Sequence, residues 1–180
     1  MRARAAAGVL LVLALAAAGC GAPERAAPPY GVGPDGERLE EPDGEVRAAY
    51  LGYWDAWLAA YRNPGAADDG LAGHAGPPWL DAARATLAEA RRAHQHNEGT
   101  VEHRLVGMAA EGQSRLVYDC VELSGWRIHD DRTGAPLPGQ LTDKRRQLAV
   151  LTLNRVDGRW VVTNSRKPVP CEPRDDGRTP

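Results

Sequence analysis

Between Val46 and Arg62 runs the stretch VRAAYLGYWDAWLAAYR, which holds five of the chain's ten aromatic residues: Tyr50, Tyr53, Trp54, Trp57 and Tyr61. At about 100° per residue all five fall within an arc of about 100°, so the segment predicts an amphipathic helix with an aromatic face. Each such side chain buries about 150–250 Å², and the rest of the chain has to supply the cover. Asp43 is placed to cap this helix, and Glu45 lies in its first turn, where the helix dipole favours an anion. Asn63-Pro64 stops it. Asp55 lies about 100° beyond the edge of the arc and is expected to face water, which argues against it as a buried base.

A linker from Gly65 to Gly76 follows, with room for one short turn around Leu71. Pro77-Pro78 then opens a second helix over about Trp79 to His94. Trp79, Leu80, Ala83, Leu87 and Ala90 share its apolar face, and Asn97-Glu98-Gly99 ends it. After Gly99 the period changes from helical to alternating. Strands are expected over Val101–Ala109, Ser114–Leu123, Gly125–His129, Arg145–Arg155 and Arg159–Ser165. Asp130 to Thr142 reads as a loop, and Asp157-Gly158 as a two-residue hairpin turn. Helices followed by a run of strands predict the α+β class, with the helices packed on one face of a curved antiparallel sheet.

The N-terminus sets an expected address. Arg2 and Arg4 precede the apolar run GVLLVLALAAA, Gly8 to Ala18, which is long enough for a signal peptide and too short to span a bilayer. Together with Ala18-Gly19-Cys20 it resembles a bacterial lipoprotein signal. The resemblance implies cleavage before Cys20, acylation of Cys20 and a lipid anchor on the outer side of the cell membrane. Ala17 departs from the commoner leucine at its position. Residues 1–19 are thus read as the signal peptide, 20–43 as the lipidated cysteine and a flexible tether rich in Gly, Pro and Glu, 44–171 as a single α+β domain, and 172–180 as a disordered tail. In that oxidising setting Cys120 and Cys171 are left as an even pair, expected to form a disulfide.

The order of elements, a long helix, a second helix and then a meander closing on Asp-Gly-Arg-Trp-Val-Val, resembles the nuclear transport factor 2-like fold. The likeness covers about Glu45 to Ser165 and extends to small secreted or lipoprotein members, including the Mce-associated type. The superfamily includes ketosteroid isomerases, polyketide-cyclase-like enzymes and many non-enzymatic modules. The resemblance implies a cone-shaped domain. In its enzymes a carboxylate or a His–Asp pair lies deep in an apolar cone, suited to proton transfer. The candidates here are Asp119, which shares a strand face with Val117 and Val121, and His103, with Tyr50 or Tyr53 as donors. The competing expectation is a structural ion pair between Asp119 and an arginine across the sheet, such as Arg104 or Arg146. None of the superfamily's catalytic signatures is matched, so no role passes to any one residue.

Other chemistries lack their motifs. No serine sits in a Gly-x-Ser-x-Gly elbow, and there is no phosphate loop. Arg91-Arg92 and Arg145-Arg146 are isolated pairs. With 22 basic and 24 acidic residues the chain lacks the positive excess that nucleic-acid binding needs. His94, His96 and His103 could gather only if a strand folded back on the helix end, and no cysteine or carboxylate joins them at a zinc spacing, so no metal and no cofactor are expected. Tyr50, Tyr53, Trp54, Trp57 and Tyr61 are core, with the option of lining an apolar pocket. The reading is therefore a membrane-anchored module that binds an envelope protein or a small apolar ligand. The alternative is an isomerase-like or polyketide-cyclase-like acid/base enzyme using Asp119 or His103.

Overall fold

Asp43 accepts a hydrogen bond from the Val46 amide at 2.8 Å, and from that cap the first helix, α1, runs Gly44–Arg62. A cap of this kind contributes about 1 kcal/mol. The computed structural model describes residues 31–66, 69–140 and 146–171. The chain continues through α2, Asp69–Ala72, and α3, Trp79–Arg92. Among the described residues seven strands follow: β1 Gln95–Glu98, β2 Leu105–Glu111, β3 Ser114–Glu122, β4 Arg127–Asp130, β5 Arg146–Val156, β6 Arg159–Ser165 and β7 Val169–Pro170. The α+β reading holds: the helices pack on one face of a curved antiparallel sheet. Among the described residues no helix is long and apolar enough to cross a membrane. Cys20 and the expected signal peptide and tail lie outside the described residues.

The main sheet has the order β2-β3-β5-β6, with β7 pairing the start of β5. Alternation along β3 divides its side chains between two cores. Val117 and Asp119 face the helices, where Val46, Tyr50, Leu151, Leu153 and Val162 complete the larger cluster. Leu116 and Tyr118 face the other way, into a smaller cluster with Leu39, Ala109 and Val150. Cys120, on that second face, is joined to Cys171 by a disulfide. Such bonds persist in oxidising compartments.

Three sequence expectations change. Residues 31–40 belong to the fold and are not free tether: Leu39 is buried, and Glu40 exchanges both backbone hydrogen bonds with Met108, each 2.8 Å. This strap covers the outer edge of β2, as His74 to Gly76 cover that of β6 through bonds to Val162. The second helix stops at Arg92, because His94 takes a left-handed conformation, φ 53°. The polar run after it, expected only to end that helix, forms β1 and pairs with β4 as a separate two-stranded ribbon.

Candidate functional site

The aromatic face of α1 divides into three environments. Tyr50, fully buried, reaches across to β3 and donates its hydroxyl to Asp119 Oδ2 at 2.9 Å. Tyr53, Trp54 and Trp57 turn toward α3 and line a groove of about 290 Å³. Tyr61 leaves the groove and packs edge-on against Trp57 and Trp126, with ring centroids 5.5 and 6.1 Å away. Three of the five expected lining residues therefore line it, while Tyr50 and Tyr61 are core.

The groove is closed on its far side by Trp79, Ala82 and Ala83 of α3, and floored by Ala149 and Leu151 of β5. Trp79 was legible only as the first residue of an apolar helix face. Its indole N–H donates to the Tyr53 oxygen at 2.8 Å, tying the two helices together. Burial pushes the Tyr53 hydroxyl up to about 12, with the Trp79 bond pulling weakly the other way. Ser165, Thr86 and Pro168 complete the rim, and among the described residues no charged side chain lines the groove.

Behind Trp54 lies the second element of the site. Asp119 is 0% exposed, and its Oδ2 accepts from both the Tyr50 hydroxyl and His103 Nδ1, the latter at 2.5 Å. The expected arginine pairing is overturned: Arg146 binds Glu122 at 2.9 Å, and Arg104 reaches the Cys171 sulfur at 3.9 Å. Register explains why His103 wins. Leu105 stands opposite Asp119 and Glu102 opposite Glu122, so His103 lies diagonal to Asp119 on the helix-facing side. A bulge between Leu105 and Gly107 then re-phases the rest of β2.

With Nδ1 engaged by Asp119, His103 keeps Nε2 as its second ring nitrogen, on a side chain 18% exposed. Trp54 lies over the ring at 5.3 Å between centroids and meets the groove as well. Burial first, then the neighbouring Asp119 charge, holds the Tyr50 hydroxyl well above its ordinary value. The Trp54 indole N–H is close enough to the Tyr50 oxygen to oppose that rise, yet among the described residues neither it nor Asp119 Oδ1 has a hydrogen-bond partner.

The grouping of His94, His96 and His103 does not form. His103 is on β2's approach with Asp119, His94 is exposed, and His96 sits on β1 against Asp131 and Glu98. Those two carboxylates, Asp131 first, hold the His96 ring above its ordinary value.

No protein-family model matches the chain, and no curated protein matches it in sequence. Solved structures do. The intermembrane-space region of the chloroplast protein ARC6 superposes with a TM-score of 0.53 at 14% identity, over 71% of this chain and 97% of that one. A protein of unknown function with a cystatin-like fold from Nostoc punctiforme matches with a TM-score of 0.41 at 4% identity, over 68% of this chain and 90% of that one. At 14% identity the likeness to the ARC6 region is one of fold alone, that of an α+β domain. It carries no activity with it.

Proposed function

We propose that this protein is an extracytoplasmic binding module, anchored to the cell membrane by lipid at Cys20, that takes up a small neutral apolar ligand in the groove between α1, α3 and β5. The observation that carries this reading is the groove's lining. Tyr53, Trp54, Trp57 and Trp79 converge on one cavity that, among the described residues, no charged side chain lines, and its volume is close to the lower end of the usual range for ligand sites. A cavity so lined favours rigid apolar bodies and penalises any ion, which would lose its hydration without a counter-charge. The disulfide supports the extracytoplasmic address, and the resemblance of residues 1–20 to a lipoprotein signal supports the anchor.

Titration with N-phenyl-1-naphthylamine, a neutral apolar fluorophore, tests the groove. Saturable binding with quenching of tryptophan emission is expected, weakened by Trp57→Ala and blocked by Thr86→Trp. Uptake that is non-saturable, or equal in both variants, rejects the reading. For the anchor, detergent-phase partitioning should disappear in Cys20→Ser, and unchanged partitioning rejects lipidation.

A second reading, acid/base catalysis on a small apolar substrate, is favoured by one observation: Asp119 is buried, pairs with no arginine among the described residues, and holds His103 by Nδ1. That arrangement orients an imidazole as a general base. Its test is exchange of α-protons for deuterium in apolar ketones, followed by NMR. Exchange that His103→Gln abolishes supports catalysis, and no exchange above buffer leaves the groove as a binding site alone.

A further inference from the structure

The β1–β4 ribbon stands apart from the main sheet and carries a cluster of its own. Its register places His96 opposite His129 and Glu98 opposite Arg127. The two-residue period of a strand puts His96 and Glu98 on one face of β1, while Asn97 turns to the other and is fully buried. Asp131 follows the end of β4, and its amide donates to the His94 carbonyl at 2.8 Å. His96 Nδ1 lies 2.5 Å from Asp131 Oδ1, and its Nε2 lies 3.2 Å from Glu98 Oε1.

Both ring nitrogens of one histidine thus meet carboxylate oxygens. A neutral imidazole has one N–H and one lone pair, so between two ionised carboxylates either tautomer sets a lone pair against an anion. The imidazolium donates at both nitrogens. The closed ribbon therefore selects the charged ring. Asp131 first, then Glu98, hold His96 above its ordinary value, with burial opposing them.

Among the described residues no other group bonds the His96 ring. The His129 ring lies 5.6 Å away between centroids. Its Nδ1 donates to the Gly134 carbonyl at 3.1 Å, and its Nε2, 3.7 Å from Glu98 Oε2, is beyond hydrogen-bond reach. Arg127 donates to the Trp126 carbonyl at 2.8 Å, and Asp130 pairs with Arg132 at 2.9 Å. The helices α1 and α3 also pack against β1. The charged groups near their ends are Arg62, Glu89, Arg91 and Arg92, with His94 just beyond. Arg91 donates to the Pro64 carbonyl and Arg92 to that of Ala88.

A two-stranded ribbon is marginal by itself, and β1, with the sequence QHNE, has no apolar side chain to add. What the bridge holds in place is the last of α1's aromatic face, because Trp126, at the entry to β4, packs on Tyr61. We propose that the β1–β4 ribbon is a pH-dependent clasp: the His96 imidazolium, bridging Glu98 and Asp131, holds it closed at mildly acid pH, and loss of that proton as pH rises loosens it from the C-terminal end of α1. A ring whose folded value is raised adds stability that is complete below the unfolded value of 6.5 and is lost as pH rises through the folded value.

The test is NMR on the full-length protein in detergent micelles, reading the His96 ring midpoint and, corrected for the intrinsic pH dependence of exchange, the amide protection of each strand. The His96 midpoint is expected above 6.5, and Asp131→Asn should lower it. Protection in β1 and β4 should fall with rising pH, about tenfold for each unit by which the midpoint is raised, while β3 and β5 stay level. His96→Gln should remove that pH dependence. A midpoint at or below 6.5 overturns the proposal, as does protection in β1 and β4 that is level across the range or falls equally in His96→Gln. Should His96→Gln fail to fold, an unchanged midpoint in Asp131→Asn rejects the clasp by itself.

Discussion

At the scale of the residue, Asp119 is the position on which α1 and the sheet are joined. Its Oδ2 receives two donors, one from Tyr50 on the helix and one from His103 beside β2, and the side chain is inaccessible to water. Removing one donor from a buried acceptor costs about 1–3 kcal/mol. Tyr50→Phe is therefore expected to lower stability by that amount in urea unfolding, with an unchanged slope. A loss below about 0.5 kcal/mol shows that the hydroxyl does not hold the helix to the sheet. Tyr53 makes the pH argument. Its folded value is raised from 10.0 to about 12, so its contribution is complete below the unfolded value and is lost as pH rises through that window. Thermal unfolding should shift to lower temperature between those two pH values, and Tyr53→Phe should flatten that part of the profile. The face of Asp119 was legible from alternation in SRLVYDCVEL. Its partner was not, because register across two strands and a bulge decides whether a histidine or an arginine arrives, and a single strand's pattern carries no register.

At the scale of elements, the long amphipathic segments were legible and the short polar ones were not. α1 and β3 each present enough periodic apolar residues to declare a face, and Asp157-Gly158 is a hairpin turn with both residues at positive φ, 50° and 78°. Gln95 to Glu98 presents four polar residues, which read as the end of a helix. They form a strand because β4 supplies their hydrogen bonds and Asn97 turns inward. The ribbon also depends on Gly99. It sits at φ 90°, and a Cβ there would lie 1.8 Å from the Gly125 carbonyl oxygen. Both the conformation and the contact exclude a side chain, so Gly99→Ala should cost more than about 1 kcal/mol. Hydrogen exchange is expected to show the loss of protection concentrated in β1 and β4. Loss spread evenly over β3 and β5 would mean that the ribbon is not an element of its own.

At the scale of the whole molecule, the two ends of the described chain meet on the outer face of β3. Tyr118 donates its hydroxyl to Glu37 of the N-terminal strap, and Cys120, two residues on, is bonded to Cys171 near the C-terminal end. Arg166 adds ion pairs to Asp35 and Glu37. The disulfide closes a separation of 51 residues, for which the chain-entropy view gives an upper figure of about 4 kcal/mol. Cys120→Ala with Cys171→Ala should therefore lower stability by up to that amount, and the wild-type pair should resist thiol labelling until reductant is added. The strap was not legible, because one leucine among Gly, Pro, Asp and Glu declares no period, and the same composition describes a free tether. What distinguishes the two is Leu39. A tether residue can be truncated without effect, whereas Leu39 is 1% exposed and packs with Leu116, Tyr118 and Val150. Truncating a leucine in such a position costs about 2–5 kcal/mol. Leu39→Ala is thus expected to move the urea midpoint strongly downward, with a matching loss of protection at Met108, whose amide bonds the neighbouring Glu40. An unchanged midpoint would return residues 31–40 to the tether and leave the outer core of the sheet without its cover.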